Sequence, residues 1–176
     1  MMFNIEKGDK NSKLGTPSYI LYLVLLKDVN FPAWPAPKDA TIKIEAGSSL
    51  LKPGKKFNSL ESKNATINPN VEPGESPYEG HVTLSPVLEG ITKRNLTFIY
   101  DNVGEDFIAV WKRCSDGQKF IAGSECSSGL KLSYTNIGQQ EGGIHGIALQ
   151  LLGGDCPEPF YFLDGDIEVE EDEATP

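Results

Sequence analysis

Residues 106–123, DFIAVWKRCSDGQKFIAG, contain the strongest local structural signal in the chain. Two apolar runs, 106–114 and 119–123, flank a polar stretch that contains Asp116 and Gly117. An Asp-Gly pair between two such runs is typical of a type I′ turn, because both central residues of that turn take a positive φ. The sequence therefore predicts a β-hairpin with Asp116-Gly117 as its two-residue turn.

A helix is predicted immediately before this hairpin. Residues 91–102 place apolar side chains at helical spacing. Thr92 can cap the first turn by accepting a hydrogen bond from a backbone N–H group, and Gly104 follows as a stop signal. Because threonine and β-branched residues make this helix weak in isolation, we expect tertiary packing to stabilise it.

The remaining regular segments predict strands. They are rich in β-branched and aromatic residues or alternate between apolar and polar ones, and they lie at residues 18–27, 41–45, 80–88, 130–134, 144–151 and 160–162. For residues 18–27 a helix is the alternative, since leucine dominates, but Pro17 and the polar residues 28–30 keep the segment short. Pro86 marks an edge or a bulge, and residues 135–143 read as a loop. The predicted fold is mainly β, an antiparallel meander with one α-helix.

Composition limits the possible functions. The 176 residues, enough for one ordinary domain, include 25 acidic and 16 basic side chains and have a net charge of −9. An acidic chain is not expected to bind nucleic acid through its overall charge. The longest apolar run, residues 19–26, falls well short of the roughly 18–20 residues that a membrane helix needs, so no membrane insertion is predicted.

The two ends differ from the body of the chain. Residues 1–17 are polar and are expected to form a flexible arm, followed by a single β-rich domain over residues 18–165. Residues 166–176 are expected to form an acidic disordered tail, because residues 164–173 hold seven acids and no base. The Asp164-Gly165-Asp166 start of this run faintly resembles a calcium loop but lacks the rest of the twelve-residue spacing.

The cysteines and histidines do not indicate an active site. Cys114, Cys126 and Cys156 form no CxxC pair, and His81 and His145 lie far apart in the sequence. We interpret all three cysteines as reduced thiols of an intracellular protein, although Cys114 and Cys126 could pair across a hairpin. No nucleophile or phosphate-binding motif is present. We therefore expect no enzyme, no cofactor, no metal and no small-molecule substrate.

Two proline-rich stretches are unusual. Residues 31–38 hold three prolines around Trp34 and predict a stiff loop pinned by that ring. Residues 46–77 are long and sparse in apolar side chains, and such stretches are usually functional or disordered. We expect this excursion to be mobile in the monomer and to form an inter-subunit contact, with an idle linker as the alternative. The predicted contact residues are Leu51, Lys52, Lys55, Lys56, Phe57, Leu60 and Ile67.

Residues 95–165 as a whole resemble tail-tube-like structural proteins of Bacteroidetes phages and prophages. The similarity rests on four pieces and on an earlier stretch in the first half: the turn residues 115–118, Ile121-Ala122-Gly123-Ser124, the strand 130–134, residues 159–165, and Leu51-Lys52-Pro53-Gly54-Lys55-Lys56-Phe57. The acidic residues after Gly165 and the proline segment 31–38 depart from that pattern.

The resemblance implies a β-sandwich with a flanking helix and no catalysis. It further implies subunits that close into rings, usually of six, which stack into a tail tube that conducts DNA. The expected partners are other copies of the chain, other tail proteins and DNA in transient, non-specific passage. The expected location is the virion tail, after synthesis in the cytoplasm of the host bacterium. A tail terminator or connector ring of the same fold, and a monomeric β-sandwich binding module, are the alternatives.

Overall fold

The computed structural model describes residues 18–63, 66–123, 125, 129–140, 143, 145–154 and 156–171. Within these residues it contains eleven strands, one α-helix and two single-turn 3₁₀ helices, Leu26–Asp28 and Phe31–Ala33. In chain order the elements are β1 Tyr19–Leu25, β2 Thr41–Lys43, β3 Asn58–Leu60, β4 Asn70–Pro73, β5 Gly80–Leu84, β6 Val87–Glu89, α1 Lys93–Asn102, β7 Asp106–Arg113, β8 Lys119–Ala122, β9 Leu130–Gln139, β10 His145–Gly153 and β11 Phe160–Asp164.

The strands form one continuous sheet with two halves. The front half has the order β3-β1-β7-β8-β11-β2, and the back half consists of β9, β10, β5, β6 and β4. They are joined where the start of β7 pairs with the start of β9, at Asp106↔Lys131 and Phe107↔Leu130. All pairs are antiparallel except β11 with β2, which is parallel.

The centre of the front half, around β7, is buried on both faces. Along β7, Phe107, Ala109 and Trp111 belong to one hydrophobic cluster, whereas Ile108 and Val110 belong to another. This alternation follows from the period of two in a strand, which sends successive side chains to opposite faces. We call the cluster that contains Phe107 the inner core and the cluster that contains Ile108 the outer core.

The inner core lies between the two halves of the sheet. Residues from β1 and β7 share it with residues from β5, β9 and β10, so the sheet folds over on itself as a sandwich. Helix α1 contributes Phe98 and Ile99 to the same cluster. The backbone N–H of Asn95 donates to Thr92 Oγ1 at 3.1 Å, which confirms Thr92 as the helix cap.

The outer core is covered by irregular chain. Ile44, Leu50, Leu51 and Phe57 pack onto the outer face of the front half, and Ile167 packs partly buried against the same cluster. The cover is completed by a short parallel bridge between Phe57 and Val169. In that bridge the N–H of Phe57 donates to Glu168 O, and the N–H of Glu170 donates to Phe57 O, both at 2.8 Å.

The mainly β, sandwich-like architecture with one flanking helix is confirmed. Residues 18–27 contain a strand, β1, and not the alternative helix. The predicted strand 80–88 is interrupted at Ser85-Pro86 and continues as β6. Strand β9 runs to Gln139, so the expected loop at 135–143 is wrong over most of its length, and a register shift opposite Ala148/Leu149 accommodates the extension.

The predicted hairpin exists, but its turn differs from the prediction. The N–H of Arg113 donates to Gln118 O at 2.8 Å, so four residues, 114–117, separate the paired ends. Gly117 has a φ of +75°, whereas Asp116 is not among the residues with positive φ, which excludes a type I′ turn. Asp116 and Gly117 therefore lie in the loop but do not form a two-residue turn by themselves.

A type I′ turn is found elsewhere, at Asp39-Ala40. Their φ angles are +50° and +57°, and Lys38 and Thr41 exchange two backbone hydrogen bonds of 2.9 and 3.0 Å across them. The residue types do not predict this turn, because alanine rarely takes a positive φ.

The expected disorder of the acidic tail is wrong for its first part. Residues 166–171 form a strap whose backbone bonds to Phe57 and whose Asp166 lies 3.4 Å from Lys119 Nζ. Lys119 Nζ also donates to Gly165 O. The expected arm at residues 1–17 and the rest of the tail, 172–176, lie outside the described residues.

Candidate functional site

The apolar members of the predicted contact segment are core residues of this chain. Leu51, Phe57, Leu60 and Ile67 are at most 4% exposed. Leu51 and Phe57 belong to the outer core, and Leu60 and Ile67 to the inner core. The expectation that these side chains lack burial in the monomer, and that they are available to a neighbouring subunit, is therefore wrong.

The lysines of the same segment are on the surface. Lys52, Lys55 and Lys56 lie in an exposed turn around Pro53-Gly54, which is closed by a hydrogen bond of 3.1 Å from the Lys55 N–H to Lys52 O. We call residues 52–56 the lysine turn. Lys55 Nζ lies 3.3 Å from Asp28 Oδ1 and Lys52 Nζ donates to Lys27 O, so two of the three ammonium groups have partners in the same chain.

The acidic strap lies beside the lysine turn. Phe57 directly follows Lys56, and its bridge to Val169 places the exposed Glu168 and Glu170 next to this edge of the molecule. Any attraction between the lysine turn and acids of a neighbouring copy therefore competes with acids of this chain. Exposed charges interact weakly in any case, typically by less than about 1 kcal/mol.

Exposed apolar residues offer a second kind of contact surface. Tyr100 and Val103, at the end of α1, are 65% and 45% exposed, and Ile91, just before the helix, is 45% exposed. They are isolated apolar side chains at the two ends of α1, whose other exposed residues include Lys93, Arg94 and Asp101. In addition, the sheet path ends at β2 on one side and at β4 on the other, and all four residues of β4 are exposed. Edge strands of this kind can pair with another chain.

A groove of about 390 Å³ runs along the margin of the outer core. One wall is the proline segment, with Phe31, Trp34 and Pro37, and the other is the chain that leads into β11, with Glu158 and Tyr161. Phe31 and Trp34 pack against each other with ring centroids 5.4 Å apart, and both are partly buried on the outer core. The expected pinning of this loop by Trp34 is confirmed.

The groove is acidic. Glu125 and Glu158 line it together with Cys156 and Pro157, and the Tyr161 hydroxyl donates to Glu158. No lysine, arginine or histidine is among the described lining residues. No local sequence pattern predicts this site, because its walls come from residues more than a hundred positions apart.

Titratable groups elsewhere are dispersed. Among the residues that the structure describes, no three histidine, cysteine or acidic side chains converge as a metal site would require. His81 Nε2 lies 3.5 Å from Glu72 Oε2 at the β4–β5 edge, whereas His145 is exposed at the start of β10. Cys114 is exposed in the hairpin loop, and Cys126 lies outside the described residues.

One ion pair organises the hairpin loop. Arg113 Nε and Nη2 donate to the two carboxylate oxygens of Asp116 at 2.9 and 2.6 Å. These side-chain hydrogen bonds, helped by one from the Gln118 N–H, lower the pKa of Asp116 to about 2. Arg113 also lies over the ring of Phe120, 5.7 Å from its centroid. The pair therefore fixes the loop conformation that Gly117 permits.

No protein-family model, curated protein or solved structure matches this chain. Within the described residues, no helix is long and apolar enough to cross a membrane.

Proposed function

We propose that this chain is a virion structural protein, the subunit of a tail tube built from stacked rings through which DNA passes. Rings of six are the number that the sequence resemblance implies. The proposal places the protein in the virion tail after synthesis in the host cytoplasm, with other copies of itself and other tail proteins as partners.

The observation that carries the proposal is the architecture. A sandwich-like sheet with one flanking helix is what the resemblance of residues 95–165 implies, and it is the fold that the chain adopts. The helix, the β7–β8 hairpin and the strands after it lie in the order that the resemblance requires.

The exposed sheet edges support self-association better than the lysine turn does. Strands β2 and β4 end the sheet path, so an edge of one copy can meet the other edge of the next. Such a head-to-tail contact repeats, and it gives a ring if the rotation closes. The exposed Tyr100 and Val103 of α1 supply apolar area for the same purpose.

Electron microscopy of concentrated purified protein tests this proposal, with two matched variants. Val71→Lys places a charge on the edge strand β4, where the native side chain is 39% exposed, and charged edges resist pairing between chains. Leu152→Lys makes the same chemical change at a 43% exposed position on β10, a strand that is paired on both sides.

We expect rings or tubes from the parent and from Leu152→Lys, and loss of assembly with Val71→Lys. Single closed rings without filaments would favour the alternative of a tail terminator or connector of the same fold. A parent protein that stays monomeric at millimolar concentration would contradict the proposal. It would favour instead a monomeric binding module, for which the aromatic groove is the specific supporting feature.

A further inference from the structure

The groove between the proline segment and the entry to β11 combines aromatic walls with uncompensated acids. Phe31, Trp34 and Tyr161 supply three rings within a cleft of about 390 Å³. That volume lies in the range of pockets that bind small molecules. The prolines that line it limit the backbone freedom of its walls, so the cleft is largely formed before a ligand arrives.

The charge of the groove selects the ligand. When ionised, Glu125 and Glu158 accept hydrogen bonds and donate none. The described lining residues contain no lysine, arginine, histidine, asparagine or glutamine. Anionic ligands are therefore repelled. Sugar hydroxyls can donate to the two carboxylates, but their acceptor oxygens find no amide, ammonium, guanidinium or imidazole donor among the described lining side chains. A group that is positive and only donates matches the two carboxylates fully.

Aromatic rings favour the same group. A guanidinium or alkylammonium ion within about 6 Å of a ring centroid is attracted by the negative face of the ring, most strongly with tryptophan. The Tyr161 hydroxyl donates to Glu158, which holds that carboxylate at the groove wall beside the ring. Charge and aromatic surface thus lie within one cleft.

A neighbouring hollow extends the groove. It shares Phe31 and Glu125 with the groove and is lined further by Glu105 and Asp106, together with Lys27 and Lys52. In this hollow the two lysines and the pairing of Asp106 with Lys131 Nζ at 3.3 Å offset the acids, so the net negative charge is concentrated in the groove itself, at Glu125 and Glu158.

We propose that this groove binds a guanidinium group, carried either by a free amino-acid-sized molecule or by an arginine side chain of a basic peptide. The site is independent of the tube-subunit proposal, since neither the edge strands β2 and β4 nor the exposed apolar residues at the ends of α1 line it.

The experiment is a titration of the full chain, at a concentration where light scattering shows a monomer, followed by fluorescence of Trp34 and by calorimetry. The other tryptophan, Trp111, is 3% exposed, so its fluorescence should stay constant during the titration. N-acetylargininamide represents the free ligand, and a capped alanine pentapeptide with one central arginine represents the peptide. The matching citrulline compounds keep the shape of arginine and remove its charge.

We expect saturable binding of one or both arginine compounds, about tenfold or more tighter than their citrulline counterparts and weakened by added salt. Tighter binding of the pentapeptide than of the free derivative would identify a peptide as the source. Glu158 is exposed, so Glu158→Gln should weaken binding about three- to fivefold while keeping the size of the side chain. Glu171→Gln, an exposed acid outside the groove with the same change in charge, should leave the affinity unchanged within about twofold.

Trp34→Leu should abolish binding measurable by calorimetry. If Trp34→Leu does not fold, Glu158→Gln alone still tests the proposal. The proposal is overturned if neither arginine compound binds by about 10 mM, or if citrulline compounds bind equally well. It is also overturned if Glu158→Gln and Glu171→Gln weaken binding equally, or if a neutral oligosaccharide such as cellotetraose binds and the arginine compounds do not.

Discussion

The inner and outer cores lie on opposite faces of the same strands, yet they are closed in different ways. Regular elements cover the inner core, namely the back half of the sheet and α1. Irregular chain covers the outer core, namely residues 44–57 and the strap that pairs with Phe57. The comparison shows that a segment with few apolar residues can still close a core, provided each apolar side chain is spaced to reach it.

The excursion has few apolar residues, but most of them are buried. Leu50, Leu51 and Phe57 are 3%, 4% and 1% exposed, comparable to residues of the inner core. Complete burial of such a side chain contributes roughly 1.5–3 kcal/mol. Local contacts alone do not offset the backbone entropy that is lost when the excursion is ordered. Contacts with the two cores, which are distant in sequence, supply the burial that stabilises it.

The strongest test of the comparison is a matched pair of core truncations. Phe107→Ala in the inner core and Phe57→Ala in the outer core should each lower the free energy of unfolding by about 3–5 kcal/mol, because both rings are fully buried. Chemical denaturation followed by circular dichroism measures the difference. A negligible effect of Phe57→Ala, with Phe107→Ala destabilising as expected, would show that the excursion does not close the outer core in solution.

Removal of the strap should lower the free energy of unfolding by a smaller amount, and only through the outer core. A chain shortened after Gly165 loses Ile167, the bridge to Phe57 and the contact of Asp166 with Lys119. We expect a loss of about 1–3 kcal/mol, or several degrees in the melting temperature. A control chain that ends at Glu171 retains these contacts and should melt within error of the parent. Equal melting temperatures for all three chains would mean that the strap is not docked.

Two of the loops that contain residues with positive φ should respond with opposite signs. Ala40→Gly, at the turn before β2 on the outer-core side, should stabilise the fold by about 0.5–1 kcal/mol, since glycine accepts a φ of +57° without steric cost. Gly117→Ala in the β7–β8 loop should destabilise it by about 1 kcal/mol. Thermal melts measure both. The same sign for the two variants would contradict the assigned turn conformations.

The Arg113–Asp116 pair should give the smallest effect, and a pH-dependent one. The pKa of Asp116 is lowered to about 2, so its contribution to stability is present above the ordinary carboxyl pKa near 4 and is lost as the pH falls through about 2. The difference in melting temperature between the parent and Asp116→Asn should therefore shrink between pH 5 and pH 2. A difference that is constant over this range would exclude the ionised pair as its cause.

Local patterns predicted most of the inner core, and long-range contacts decided the rest. The hairpin, α1 with its Thr92 cap, and β1 follow from spacing and residue type, which act over a few positions. Local spacing does not predict the outer core, because the partner of Phe57 is Val169, more than a hundred residues away. The groove was missed for the same reason, since Trp34 and Tyr161 meet only after β11 is in place.

The parallel pairing of β2 with β11 has a consequence for folding during synthesis. Among the described strands, β2 pairs only with β11, so residues 41–43 must wait for residues 160–164 to leave the ribosome. Until then β2 has no partner among the described strands, and Ile42 and Ile44 lack Leu163, which shares their cluster. Residues 44–57 leave the ribosome earlier and can cover the outer face of β1 and β7 once those strands pair. Non-local contacts that close late slow folding. The outer core is therefore completed only after β11 and the strap have emerged.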